Sequence, residues 1–410
     1  MMLSAYFRKF DYRLWILAGG WVSSAMGFAI ALPFLSLYFH SELGISLSGI
    51  GIFLGINAVV RSVFQALGGE LADRLGRYPL MVTGQIVRSV IFWGMAYAVY
   101  MNWGFYPIGG MLVVNSVFGA MFQPAANATV SDLVGVENRT EAYSIVRVAG
   151  NFGWAIGPAL GGYLSEHSWS LLFIIAGAMT VVSGTIIALF LRGIKRKKLD
   201  NDKFRFSDVT ALRSQTMLLK YIALIFIMYL VVSQYITPFS LYAVDFIGIS
   251  KTSLGYLFTI NGLMVVLFQM PVTSALKKTR LTIQLALGSI IYAIGFLMVG
   301  MTATVIAFAA AMIIITIGEL FVSPPALTIT ANMAPEGRTG RYMGIYGFAV
   351  TAGWSLGPLL GCTLLDLFKP HFIYFWCIIG ALALIAAMGY YRLTSQIPSE
   401  LNITPRPNKL

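Results

Sequence analysis

Long apolar runs separated by short polar breaks fill most of the chain, and the runs are too long for strands and lack the polar stripe of a helix in a water-soluble core. Reading each run to its bounding charges or turn residues predicts helices over 14–39, 47–70, 79–100, 106–131, 142–165 and 169–191. A second group is predicted over 218–244, 252–275, 281–301, 304–329, 341–365 and 372–392. A bilayer-spanning helix needs about 20 such residues. The expected fold is therefore an all-α membrane protein of twelve transmembrane helices in two six-helix bundles. They occupy residues 1–191 and 218–392, with a linker over 192–217 and a tail over 393–410. The first run follows Arg8, Lys9, Asp11 and Arg13 and continues past Pro33 to Tyr38, too long for a cleaved signal core, so it is expected to stay as a span.

Composition agrees. Of 410 residues, 58% are apolar and 11% charged, and the mean hydropathy is +0.78. A soluble domain carries about 25% charged residues, so this chain cannot cover itself in water. The net charge of +12 would suggest a nucleic-acid partner in a soluble protein. Here the bases have positional meaning instead. With the N-terminus cytoplasmic, 23 of the 28 Lys and Arg fall on the cytoplasmic side, nine of them between Arg192 and Lys220. The expected location is the cell membrane, multi-pass, with both termini cytoplasmic. Lipid and a small-molecule substrate are the expected partners of a monomer, and nucleic acid is not. Cys362 and Cys377 lie inside apolar runs, which points to no disulfide framework, metal or cofactor.

The two groups of runs are copies of one another. Gly44-Ile45-Ser46 recurs as Gly248-Ile249-Ser250, Ile56-Asn57 as Ile260-Asn261, and Phe64-Gln65 as Phe268-Gln269, each 204 residues on. Further along, Arg139-Thr140 and Tyr143 reappear as Arg338-Thr339 and Tyr342, and Gly153-Trp154 with Gly157-Pro158 as Gly353-Trp354 with Gly357-Pro358, after 199 and 200 residues. An ordered series with so little drift is a parallel repeat about an axis along the membrane normal, an arrangement found in transporters whose substrate site lies at mid-membrane.

The turn after the second run carries Gly69-Glu70-Leu71-Ala72-Asp73-Arg74-Leu75-Gly76-Arg77. It matches the G-x-x-x-D-R-x-G-R signature of the major facilitator superfamily, in the place where that family has it, and the resemblance covers essentially the whole chain. Gly153-Trp154-Ala155-Ile156-Gly157-Pro158-Ala159-Leu160-Gly161-Gly162 resembles the G-x-x-x-G-P-x-x-G-G motif of the family's antiporters. Gly318-Glu319 and Arg88 bring the chain nearest to prokaryotic twelve-span multidrug:proton antiporters. The resemblance implies that Asp73, Arg74, Gly76 and Arg77 form a charge cluster that bridges helices and breaks as that side opens. It likewise implies that Gly153, Gly157, Pro158 and Gly161 form a tight helix contact about which the halves rock. One position departs from the family. The arginine its antiporters often carry in span 4, four residues before a glycine, is Asn115 here, ahead of Gly119.

A charge at mid-bilayer costs at least ~2.5–3.5 kcal/mol and needs a partner or a water-filled cavity. Glu319 is the deepest carboxylate, and a carboxyl there can exchange a proton against a cationic cargo. Arg61 is expected near mid-membrane, where it could pair with Glu319 in proton coupling or bind an anionic group. Arg88 and Arg147 are expected nearer the cytoplasmic ends, within snorkelling reach of water. Asn57, Asn115 and Asn261, with Arg88, Phe122, Tyr346 and Trp354, are candidates to line the substrate cavity.

The leading expectation is a proton-coupled secondary transporter exporting amphipathic small molecules, powered by the proton gradient without a cofactor. A proton-coupled sugar, metabolite or lipid-like solute carrier of the same fold is the alternative. A polytopic membrane enzyme is more distant: His40, His167 and His371 fall at helix ends without a metal-site pairing, and an ATP-driven pump would need a G-x-x-x-x-G-K-[ST] loop that the sequence lacks.

Overall fold

The computed structural model describes residues 9–135, 138–192, 216–334 and 339–403, and all regular structure among them is helical. The first six long helices are α1 (Tyr12–Leu37), α2 (Leu47–Leu75), α3 (Arg77–Tyr100), α4 (Phe105–Leu133), α5 (Arg139–His167) and α6 (Trp169–Phe190). Six more follow: α7 (Thr216–Val232), α8 (Lys251–Ala275), α9 (Leu281–Met301), α10 (Val305–Met333), α11 (Thr339–Leu367) and α12 (Ile373–Leu393). Among the described residues eleven spans are long and apolar enough to cross a bilayer, α7 counting together with the turns that carry it on to Phe246. The exception is α5, where Glu141, Arg147, Asn151 and a row of glycines dilute the apolar residues. Most of the linker expected at 192–217, and the end of the tail, lie outside the described residues.

Two differences from the expected bounds have physical causes. Helices α2, α4 and α10 run two to five residues further at their C-terminal ends, and α5 and α11 two or three further at their N-terminal ends. Backbone hydrogen bonding does not stop at the last apolar residue: each added residue still gains its i→i−4 bond, whatever its polarity. The run expected over 218–244 is instead interrupted: α7 stops at Val232, a 3-10 turn covers Ser233–Tyr235, and a short helix, Thr237–Leu241, follows. Pro238 has no N–H to give the Gln234 carbonyl. The Gln234 side chain itself donates to the Leu230 and Gly357 carbonyls at 2.7 and 3.0 Å, competing with the backbone ladder.

The repeat is visible in backbone detail. The first and seventh spans both close in five-residue π turns, Tyr38–Glu42 and Tyr242–Phe246, which start 204 residues apart. Each turn ends at a glycine with positive φ, Gly44 at 66° and Gly248 at 81°. In each, the next serine caps the following helix: Ser46 accepts from Gly49 N–H at 3.1 Å and Ser250 from Ser253 N–H at 3.0 Å.

The chain separates into two compact units, Met1–Leu199 with Ser240–Val266 and Asp200–Phe239 with Leu267–Leu410. In the first, α1 packs along α5 and α6, and α3 along α4 and α6. The second repeats this pattern, with α7 along α11 and α12, and α9 along α10 and α12. Where α1 meets α5 only glycine fits. A Cβ on Gly153 would lie 2.7 Å from the Val22 carbonyl, one on Gly157 2.6 Å from Ala29 Cβ, and one on Gly161 would run into the Ile30 carbonyl. Without a hydrophobic drive between helices in lipid, such backbone-to-backbone packing supplies the attraction.

Candidate functional site

The midpoints of three helices carry charge. Arg61 is the fifteenth of 29 residues in α2, Arg88 the twelfth of 24 in α3, and Glu319 the fifteenth of 29 in α10. The first two belong to the first unit and Glu319 to the second.

Arg88 does not snorkel, contrary to expectation. It is 4% exposed, and its Nη1 donates to Ser24 Oγ at 3.1 Å and to Gln85 Oε1 at 3.0 Å. Gln85 is itself held, donating at 3.0 Å to Ser183 Oγ, which donates at 2.7 Å to the Gly20 carbonyl. This chain of neutral groups gives the guanidinium a fixed seat at mid-helix, so it has no need to reach for a helix end. Asn115 braces it from α4 by donating to the Arg88 carbonyl at 3.4 Å. The Arg61 guanidinium sits 5.5 Å from the centroid of Phe28, whose ring meets Trp154 edge-on at 6.1 Å. Ser24 and Phe28 are one turn apart on α1, so the two arginines approach one face of that helix from α2 and α3, close enough to repel each other. Asn57, one turn from Arg61, keeps a buried Oδ1 without a hydrogen-bond donor.

Glu319 is half-buried and lies within the electrostatic reach of Tyr235 and Tyr292. Tyr235 packs edge-on against Trp354 at 6.0 Å, and Tyr346, 7% exposed, shares a 3.1 Å hydrogen bond with the Tyr229 hydroxyl. Two tyrosines, Tyr235 and Tyr292, thus neighbour the acid in the second unit as neutral groups neighbour Arg88 in the first. Asn261 is buried in α8. Phe122 is buried against Trp21, ring centroids 5.6 Å apart, in an apolar cluster with Leu14, Leu17 and Met81.

At the α2–α3 turn, Gly76 takes φ 99°, open to glycine at little cost. The Asp73 side chain lies outside the described residues, and Arg74 is exposed. Arg77 forms an ion pair with Asp132 at the end of α4 and also donates to the Ala128 carbonyl. Asp132 was not singled out from the sequence, where one acid at the end of an apolar run reads as an ordinary helix end; the signal was its company with Arg77 across a hairpin of apolar runs.

A second cluster lies at the Gly44 end, inside the first unit. Glycines bring α5 and α8 into backbone contact: Gly162 faces the Lys251 carbonyl, Gly255 the Pro158 carbonyl, and a Cβ on Gly262 would lie 2.6 Å from Ala155 Cα. Polar groups lock the contact. Glu166 accepts from Thr252 N–H at 3.0 Å and Oγ1 at 2.7 Å, capping α8, and Ser41 donates to Asp245 at 2.8 Å. Lys251 lies 4.3 Å over the Trp169 ring, whose Nε1 donates to Glu42 at 2.9 Å. No sequence motif marks the polar residues of this lock, because capping acids and loop lysines occur at most helix ends.

The family model of the Major Facilitator Superfamily matches residues 17–358 and 224–407. The uncharacterized MFS-type transporter YttB of Bacillus subtilis is 31% identical over 359 residues, 86% of this chain and 88% of the relative. The multidrug resistance protein MdtH of Klebsiella pneumoniae is 24% identical over 371 residues, 89% of this chain and 90% of the relative. Among solved structures, a peptide transporter POT in complex with sulfate superposes with a TM-score of 0.76 at 15% identity, covering 95% of this chain and 96% of that one. A mutant of the nucleoside transporter NupG gives 0.76 at 14% identity, covering 93% and 99%. These two likenesses concern the fold. With its signature turn, its doubled six-helix plan and a family match that spans both halves, the chain belongs to the Major Facilitator Superfamily of membrane transporters.

Proposed function

We propose that the protein is a proton-coupled antiporter that exports amphipathic small molecules across the cell membrane by alternating access, acting as a monomer with both termini cytoplasmic. The observation that carries this reading is Glu319: one carboxyl, half-buried at the midpoint of α10 and within electrostatic reach of Tyr235 and Tyr292. An ionised group at that depth is expensive. A proton or a cationic part of the cargo satisfies it equally, and exclusive occupancy by one or the other is what exchange requires. Aromatic side chains such as Tyr235, Trp354, Phe28 and Trp154 suit apolar cargo of varied shape. The name of the MdtH relatives is in keeping with this reading.

The glycine-lined contacts of α5, with Pro158 at their centre, are the stiff surface along which helices rock in this reading, and the Glu166–Thr252 cap closes the Gly44 end until release. Arg77 anchors the opposite end through Asp132.

The test is uphill efflux in proteoliposomes under an imposed pH gradient. Glu319→Gln keeps the shape but cannot release a proton. It should abolish gradient-driven export of a fluorescent amphipath while sparing expression and downhill movement. Undiminished uphill export in that variant would remove Glu319 from the coupling.

A further inference from the structure

Two positive charges sit at mid-span in the first unit, and among the described residues neither Arg61 nor Arg88 meets a carboxylate. Arg88 is 4% exposed, and its Nε is buried without a hydrogen-bond acceptor. Arg61 is accessible, but not to lipid. The exposed Ile52, Ile56, Val59, Val63 and Leu67 mark the lipid-facing stripe of α2. At about 100° per residue, Arg61 points about 160° away from the middle of that stripe. What reaches it is water or a solute.

The seat is built for a planar anion. Phe28 lies 5.5 Å from the Arg61 guanidinium carbon, and a guanidinium supported by a ring keeps its N–H edge for paired hydrogen bonds to a carboxylate. Ser24 and Gln85 hold Arg88 through Nη1 alone. Trp154, edge-on to Phe28, extends an aromatic surface next to the charged pair.

We propose that Arg61 and Arg88 form a subsite for the anionic group of the cargo. The exported compounds are then zwitterions that carry a carboxylate on a cationic, apolar ring system, not simple lipophilic cations. This rests on the export reading above and narrows its substrate class. The carboxylate supplies the countercharge that the two arginines lack within their bundle, and the ring system lies against Phe28 and Trp154.

The test compares two dyes that differ by one charge: rhodamine B, which has a free carboxyl group, and its ethyl ester, which does not. Binding to the purified full-length protein in proteoliposomes is read by fluorescence polarisation without a gradient. The wild type should bind the acid more tightly. Arg61→Gln should weaken the acid about tenfold and leave the ester unchanged or tighter. Arg88→Lys, which keeps the charge but loses the planar fork, should weaken the acid severalfold with the ester unmoved. Equal affinity of the wild type for both dyes, or parallel losses for both in Arg61→Gln, would overturn the subsite while leaving export intact. The converse separates the two readings: a wild type that binds the acid with this arginine dependence, yet exports neither dye under a pH gradient, keeps the subsite and removes the export function. Benzoate and phosphatidylglycerol as competitors tell a free carboxylate from a lipid phosphate, and displacement by either supports an anion subsite.

Discussion

The two halves of the repeat share a backbone and divide the chemistry. In each, the third and fourth helices of the bundle meet at a glycine. A Cβ on Gly119 would lie 3.5 Å from Arg88 Nε, and one on Gly318 2.8 Å from the Tyr292 ring. Arg88 and Tyr292 are 204 residues apart and the glycines 199, the same register as the repeated motifs. After Gly119 comes Ala120; after Gly318 comes Glu319. One half therefore holds its charge as a cation seated on neutral acceptors, and the other as an acid among tyrosines. The matching helix ends of the two halves differ too. The first half ties α3 to α4 through the Arg77–Asp132 ion pair. The second ties α9 to α10 through a strap of residues 401–403. Asn332 donates to the Leu401 and Ile403 carbonyls at 2.9 and 3.1 Å, and Asn402 bonds the start of α9 through Thr282. Duplication fixes where helices touch, and each half is then free to choose what it places at the touching points.

The largest effect should come from breaking the ionic tie. Asp132 has a side chain 1% exposed, so Arg77→Ala would strip a buried carboxylate of its ion-pair partner, at about 3–5 kcal/mol. Thermal unfolding in detergent should show a large drop, most of it recovered in Arg77→Ala/Asp132→Asn. If the double variant is no better than the single, the ion pair is not what joins these helix ends.

The helices were legible in the sequence because lipid demands long apolar runs, and the repeat because glycines and caps must recur where backbones touch. Side-chain partnerships were less legible. Asp132 could be found only by knowing that α3 and α4 lie side by side, and the α5–α8 lock only by knowing that residues 240–266 pack with the first unit. The break at Ser233–Tyr235 escapes the apolar pattern because Gln234 and Pro238, which cause it together, are isolated residues in a hydrophobic run. The seat of Arg88 is not legible either, because apolar length says nothing of the neutral acceptors that hold it, Ser24 on α1 and Gln85 on α3.

A second variant transplants one half's chemistry into the other. Tyr292→Arg would place a cation where Arg88 stands in the first half, within reach of Glu319. An opposite charge there would pair with the carboxylate and compete with the proton or cationic cargo that the export reading assigns to it, so gradient-driven export should fall about tenfold or more. Undiminished export in a folded variant would mean that position 292 does not govern the acid, and the mirrored pairs would be alike in geometry only.

The smallest effect concerns the strap. Asn402 is fully buried, accepts from Thr282 N–H at 2.9 Å and donates to Thr282 Oγ1 at 2.8 Å. Asn402→Ala would strand a buried N–H at the first turn of α9, a loss of about 1–2 kcal/mol. Asn332→Ala, which frees two carbonyls nearer to water, should cost less. Both should leave the ionic tie of the first half untouched, so combining Asn402→Ala with Arg77→Ala should give additive losses, as distant sites do. Strong non-additivity in unfolding would show that the two ends are held as one device, despite their different chemistry.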